Sequence, residues 1–275
     1  VLFDGRIQNV KENLPTLNEL GNDLLKVSRL QVFLSLAFPF MLTAGFFIFC
    51  GSKWWLMAFL CPVLISFFTY GSVSHDLVHR TLGLPRLLNE TLLCAIEMLT
   101  LRSGHAYRSS HLNHHAKFPA EDDLEGAAAS MSIPRSLLDG ITLQYRIWYH
   151  AAKSSKVDKI WIYGEAIAIV LLFIASVAVI PYTMLPFIYV ALVIGGSWIF
   201  PMVTSYIPHN SSGTTELTKT RLYRGMFIRL VSMDHLYHLE HHLYPQVPHH
   251  SWPKLARRLD PHFERLGVHS LKLWF

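Results

Sequence analysis

Charge is scarce in this sequence. Only 16% of its 275 residues are Asp, Glu, Lys or Arg, and 51% are hydrophobic. Soluble domains carry roughly a quarter charged residues, so the balance points away from water and toward a membrane. Cysteine is just as sparse. Cys50, Cys61 and Cys94 fall in apolar stretches without CxxC or ferredoxin-like spacing. That argues against a disulfide framework, a zinc ribbon or an iron–sulfur cluster, and they read as small buried apolar residues. No GxGxxG dinucleotide fingerprint is present, and no ExxH pair, internal repeat, low-complexity tract or break in composition. Residues 1–275 therefore read as one domain. The stretch from Val1 lacks the charged, apolar and small-residue order of a signal peptide, so no leader is expected in it. The net charge of +5 raises the question of nucleic acid. With this hydrophobicity, basic loops at an anionic membrane surface account for it better, and no nucleic-acid partner is expected.

What the chain does have is long apolar runs. Residues 31–50, 54–73 and 182–205 contain no charge, and residues 161–180 contain only Glu165. Each is about 20 residues, enough at ~1.5 Å per residue to cross a hydrocarbon core of ~30 Å. Trp54, Trp55, Trp161 and Tyr163 stand at the ends of runs, where interfacial aromatics belong. Gly51-Ser52-Lys53 joins the first two runs, and the second two meet around Pro181. Such short links predict two tight helical hairpins, with the N-tail, residues 74–160 and the C-tail on one side. That side carries 23 of the 24 lysines and arginines, Lys53 being the exception, so the positive-inside rule makes it cytoplasmic. The expected class is an all-α integral membrane protein with a histidine-rich cytoplasmic cap. Leucines at helical spacing predict an interfacial helix over residues 14–30, and another is expected over 135–149. Residues 91–101 are too short to span and are expected to dip in or lie flat.

Sixteen histidines are the other excess. Eight of them form three boxes: His75-Asp76-Leu77-Val78-His79, His111-Leu112-Asn113-His114-His115 and His238-Leu239-Glu240-His241-His242. On a helix, His75 and His79 share a face. In each HxxHH box the spacing either aims three imidazoles at one point or splits the adjacent pair between two metals. Neutral imidazole suits iron, zinc, copper and nickel. Eight or more ligands exceed one coordination shell, which implies two ions. Soluble di-iron bundles use glutamates with ExxH pairs. Without that pattern, the shell here is expected to be nearly all histidine.

The three boxes, interleaved with two pairs of spans, resemble the membrane fatty acid desaturase and hydroxylase superfamily. The similarity runs over residues 31–248 in order, spacing and topology. It implies a di-metal oxygenase fold holding a non-haem iron pair, with zinc as an alternative. The metal ligands it implies are the eight box histidines and His209. Pro208-His209-Asn210 is similar to the place where the family supplies a further ligand. Further ligands or orienting residues are sought at His235, which shares a helical face with His238, at His105, Asp76, Asn210, Asp122, Asp123 and Glu240, and at Asp234. Glu121 reads equally well as a solvated turn. His150, His249, His250, His262 and His269 read as solvated or interfacial.

The chemistry so implied is oxygen-dependent attack on a lipid C–H bond, either desaturation of a fatty acyl chain or hydroxylation or ketolation of a carotenoid or other lipid. The three-residue gap in HDLVH occurs in both groups and differs from the gap of stearoyl-type desaturases. Substrate is expected from the bilayer. No electron-carrying segment is present, neither a nucleotide fingerprint nor the HPGG of a cytochrome b5-like domain. An external ferredoxin, rubredoxin or cytochrome is therefore expected, steered by the basic face. A metal transporter would carry its ligands at mid-membrane on broken helices, and these spans are almost free of ligands. A haem bundle needs one or two axial histidines rather than three clusters.

Overall fold

The structure, a computed structural model, describes residues 14–227, 232 and 234–274. It is mostly helical. Among the described residues, strand pairing is confined to the parallel pair Tyr223–Arg224 with Leu271–Lys272 and an isolated bridge between His209 and Thr220. Among the described residues, four helices are long and apolar enough to cross a membrane: Asn22–Gly51, Trp55–His79, Lys159–Ala178 and Leu185–Tyr206. They take in the four long apolar runs. Their outward faces expose Phe33, Met41, Ile48, Leu56, Phe59, Ile167, Leu171 and Ile174. In water such a band would drive aggregation. In lipid it is the ordinary lining of a spanning helix, whose backbone bonds are all satisfied internally.

The second and fourth spans are not uniform. The second runs as α-helix from Trp55 to Phe68, widens into a π-helical turn at Thr69–Val73 and resumes at Ser74–His79. The fourth turns π-helical at Pro201–Tyr206. A π-turn adds a residue to one turn and rotates everything after it. Both turns lie immediately before site histidines: His75 and His79 in one case, His209 in the other. Thr69 is held there from both sides, donating to the Ile65 carbonyl at 2.7 Å and accepting from the buried Arg102 at 2.5 Å.

Residues 14–30 are not the single interfacial helix expected from their leucines. A capping box at Thr16 and Glu19 starts one turn, Leu17–Leu20, which stops at Gly21 with φ of 103°. A short 3-10 turn, Asn22–Leu25, follows. A new capping box at Ser28 and Gln31 then opens the first long α-helix, Arg29–Gly51. The break lets Leu20 and Leu24 bury against Trp252, Leu255, Leu259 and Phe263 of the helix Trp252–Arg265. Asp23 anchors the same strap on Arg258, at 2.8 and 2.9 Å.

Between the second and third spans come the helices Arg86–Met98, Gly104–Lys117 and Ile133–Ser154. The first takes in most of the 91–101 stretch. The third covers the predicted 135–149 segment and exposes Leu137, Leu138, Ile141 and Tyr145 along one side. Its Gly140 lies against the fourth span so closely that a Cβ would come within 1.8 Å of the Trp198 carbonyl oxygen.

Glu165, the lone acid of the third span, is buried and fully used. Its carboxylate accepts from Ser103 Oγ at 2.6 Å, from the His105 backbone N–H at 3.2 Å and from His105 Nδ1 at 2.7 Å. The other nitrogen of His105 meets Glu90 at 3.0 Å, and Arg80 and Arg108 pair with Glu90 as well. The His105 ring stacks on Trp161 at 4.7 Å between centroids. The start of the second-box helix is thereby tied to the third span and to Arg86–Met98 through buried charges that are all paired, the one condition under which burying them is tolerable.

Candidate metal centre

Nine histidines from four segments converge on one place. The second span brings His75 and His79, and the helix Gly104–Lys117 brings His111, His114 and His115. His209 follows the π-turn of the fourth span, and the helix His238–Leu243 brings His238, His241 and His242. They sort into two groups: His75, His79, His111, His115 and His241 in one, His114, His209, His238 and His242 in the other. Within each group the ligand nitrogens all lie within 4.8 Å of one another. The adjacent pairs His114/His115 and His241/His242 are split between the groups, because neighbours on a helix point about 100° apart. The groups abut: the rings of His115 and His242 are 4.4 Å apart.

The nitrogens facing each other are all Nε2. In the larger group His241 lies 2.9 Å from His75 and 2.7 Å from His115, which is 3.1 Å from His111. In the smaller group His209 is 2.9 Å from His114, 3.0 Å from His238 and 3.2 Å from His242. Three rings have their opposite nitrogen fixed by an acceptor: His111 Nδ1 by Glu125 at 2.8 Å, His114 Nδ1 by Asp123 at 2.7 Å and His209 Nδ1 by the Ser205 carbonyl at 3.0 Å. Carboxylate and carbonyl oxygens only accept, so Nδ1 carries the proton and Nε2 presents its lone pair inward. A shared proton can bridge one such pair. It cannot serve four or five Nε2 atoms turned to one centre, whereas a cation can. His79 Nε2, buried with no hydrogen-bond partner, makes the same demand. The residues fit a pair of bound metal ions.

Burial depresses the pKa of His115, His209, His238, His241 and His242, and neighbouring imidazoles depress it further. The rings are therefore neutral, the form that binds metal. In His114 burial also works against the charge, but the hydrogen bond to Asp123 and the charges of Glu125 and Asp123 outweigh it and the net shift is upward.

The fatty acid desaturase family model matches residues 53–274, a stretch holding all three boxes and His209. The chain belongs to the fatty acid desaturase family. No curated protein matches it at a significant level. Membership makes it an oxidoreductase, and the histidine groups and four apolar helices give this desaturase-family protein a metal-binding site and a membrane setting.

Several other expected residues lie elsewhere. Asp123 orients His114, but Asp122 is exposed and pairs with Lys117. Asn210 bonds the Thr218 carbonyl and the Ser212 N–H in its own loop and meets no imidazole. His105 serves the Glu90–Glu165 network and belongs to neither group. Glu240 points away from its box toward Arg224, 2.6 Å distant. Burial pushes its carboxyl pKa up against the pull of that arginine. Asp76 does hold a histidine, but it is His249, whose backbone N–H and Nδ1 approach it at 2.9 and 2.7 Å. His249 is thus pinned to the first box rather than solvated. His235 is outside both groups. Burial holds its pKa down to about 4. Glu125 was missed: it follows His111 by fourteen residues, in a turn where no periodicity connects the two.

Proposed function

We propose that this protein is an oxygen-dependent membrane oxidoreductase that breaks a C–H bond of a lipid, desaturating a fatty acyl chain. The observation that carries this reading is the pair of abutting all-histidine groups at the ends of apolar spans. His75, His79, His111, His115 and His241 would hold one metal ion, and His114, His209, His238 and His242 the other. Iron is the metal proposed, since only a redox metal turns oxygen and two external electrons into an oxidant of C–H bonds.

The chain's own residues do the rest. Glu125, Asp123 and the Ser205 carbonyl fix the tautomer and direction of three ligands. Trp252 closes the centre, its ring 5.2 Å from His75 and 5.0 Å from His241, and keeps water from the reacting carbon. Substrate arrives from the bilayer, to which the spans expose their apolar faces.

Three residues link the first span to the second and six link the third to the fourth. That supports two hairpins, with the boxes and tails on one side. The lysines and arginines collected there support a cytoplasmic placement. Electrons come from a separate ferredoxin, rubredoxin or cytochrome.

Product analysis tests the reading. The protein is expressed in a host supplied with lipids and carotenoids, beside the His114→Ala, His115→Ala double variant, and both pools are searched by mass spectrometry. A lipid lacking two hydrogens, absent from the variant, is expected. An added oxygen would make the protein a hydroxylase or ketolase instead.

A further inference from the structure

Arg102 and Glu97 form an ion pair among the spans. Nε and Nη2 of Arg102 donate to the two carboxylate oxygens at 2.8 and 3.2 Å, and the side chains are 2% and 0% exposed. Their partners set the depth. Nη2 also donates to Thr69 Oγ1 at 2.5 Å, within the second span, and the guanidinium carbon lies 4.7 Å from the ring centre of Phe200, within the fourth. The Tyr189 O–H, also of the fourth span, donates to the Leu99 carbonyl at 2.8 Å. The turn 99–102, between the helices Arg86–Met98 and Gly104–Lys117, is therefore wedged between spans. Leu101 takes φ of 53° there, a left-handed conformation that leucine keeps where its surroundings enforce it. Apolar residues of similar volume often replace a buried ion pair without loss of stability, and ionisable groups at membrane depth mark function by default.

What the pair touches leads to the histidines. Thr69 opens the π-turn Thr69–Val73, which His75 and His79 follow. Phe200 directly precedes the π-turn Pro201–Tyr206, which His209 follows. Arg102 thus grips both π-turns at their start, one by a hydrogen bond and the other through the face of an aromatic ring. Tyr70 fills the space between them. Its ring lies 4.5 Å from that of Phe200 and 5.4 Å from the guanidinium carbon. It also stacks at 4.3 Å on Tyr107, whose O–H donates to the Tyr70 carbonyl at 2.8 Å. Tyr107 stands one helical turn before His111. Three of the four histidine-bearing segments meet in this layer: the second span, which serves the larger group, the fourth, which serves the smaller, and the second-box helix, which serves both. Glu97 fixes the plane of the guanidinium. A lysine would bring the charge without the flat ring contact and the two-pronged bond.

We propose that Arg102, held by Glu97, is a positioning residue that sets the spacing of the two histidine groups. A π-turn rotates every residue after it, so a shift of one π-turn against the other moves His75 and His79 against His209. Arg102 locks that register from the membrane side of the centre. Each group keeps its full set of nitrogens when Arg102 is replaced, so the effect falls on the spacing of the ions and not on their number. The inference rests on the reading that each group holds one ion.

Cobalt(II) is the probe for the test, because imidazole binds it and two paramagnetic ions couple to a degree that depends on their separation. The protein in lipid nanodiscs is loaded with cobalt(II), its metal content is measured, and the coupling is read by electron paramagnetic resonance. The parent is expected to bind two ions per chain with one defined coupling. Arg102→Met and Glu97→Gln are expected to keep two ions and to shift or spread that coupling. Thr69→Val, which removes the acceptor hydroxyl and keeps the side-chain shape, is expected to shift it too, and it carries the test where Arg102→Met does not fold. Asp23→Asn, in the N-terminal strap, is expected to leave it unchanged. Two ions with the parental coupling in Arg102→Met or Thr69→Val would overturn the proposal and leave the metal-centre reading standing. Loss of one ion in Thr69→Val, with the other unchanged, would make the contact a support of one group alone and overturn it as well. A parent that binds no pair of ions would remove both readings.

Discussion

Asp123 Oδ2 lies 2.7 Å from His114 Nδ1, and both side chains are buried. On the far side of the same ring, Nε2 faces His209 Nε2 at 2.9 Å. Asp123 also accepts the Gly126 N–H through its second oxygen, so the carboxylate is fixed before it fixes the histidine. A Cβ on Gly126 would come within 2.2 Å of that carboxylate.

Asp123→Asn is therefore expected to weaken metal binding at the four-histidine group. Loss of an orienting carboxylate commonly costs about 10–100-fold in affinity. Asp122→Asn, one residue away but exposed and bound only to Lys117, is expected to change nothing. Competition titration with a chromophoric chelator measures both, and equal effects would contradict the assignment.

Buried charge makes Glu165 a second point of failure. Replacing it with leucine leaves His105 and Ser103 facing an apolar side chain, and breaking a buried pair from one side costs about 3–5 kcal/mol. Glu165→Gln keeps an acceptor and is expected to cost less. Thermal unfolding in detergent ranks the two, and a Glu165→Leu protein as stable as the parent would show the network to be dispensable.

Acid is expected to destabilise the metal-free protein. Burial lowers His115, His209, His238, His241 and His242 below their ordinary value. Below pH ~6.5 the unfolded chain binds protons that the folded one refuses, so stability falls as pH falls. His114, raised, runs the other way: its contribution is present below pH ~6.5 and fades as pH rises through the higher value. His235, lowered to about 4, adds to the five, and six against one leaves the net loss on the acid side. The unfolding midpoint should drop from about pH 7 to about pH 5, and bound metal should move the drop to lower pH. A midpoint that rises toward acid would contradict the burial of neutral rings.

The spans and the boxes were legible in the sequence for physical reasons. Crossing a bilayer demands a long run without charge, and two histidines four apart on a helix must share a face. What orients those histidines was not legible. Asp122 and Asp123 are chemically alike, and only the turn after Lys117 decides which one reaches His114. Glu165 stood out as a lone charge in an apolar run, but His105, its partner, is 60 residues away. His249 read as solvated because nothing local ties it to Asp76, 173 residues earlier. The leucines of residues 14–30 kept a helical rhythm across Gly21, and the positive φ there is a tertiary choice that lets the strap dock on Arg258. The sequence left open whether adjacent histidines share a metal, and the structure shows them split.

Metal content of the purified protein tests the central claim most directly. Two metal ions per chain are expected, one for each group. His209→Ala and His242→Ala should each remove the ion of the smaller group and leave the larger one filled. His241→Ala should do the reverse, and His262→Ala should remove neither. A protein that binds no metal, or one whose content is the same in all four variants, would contradict the account.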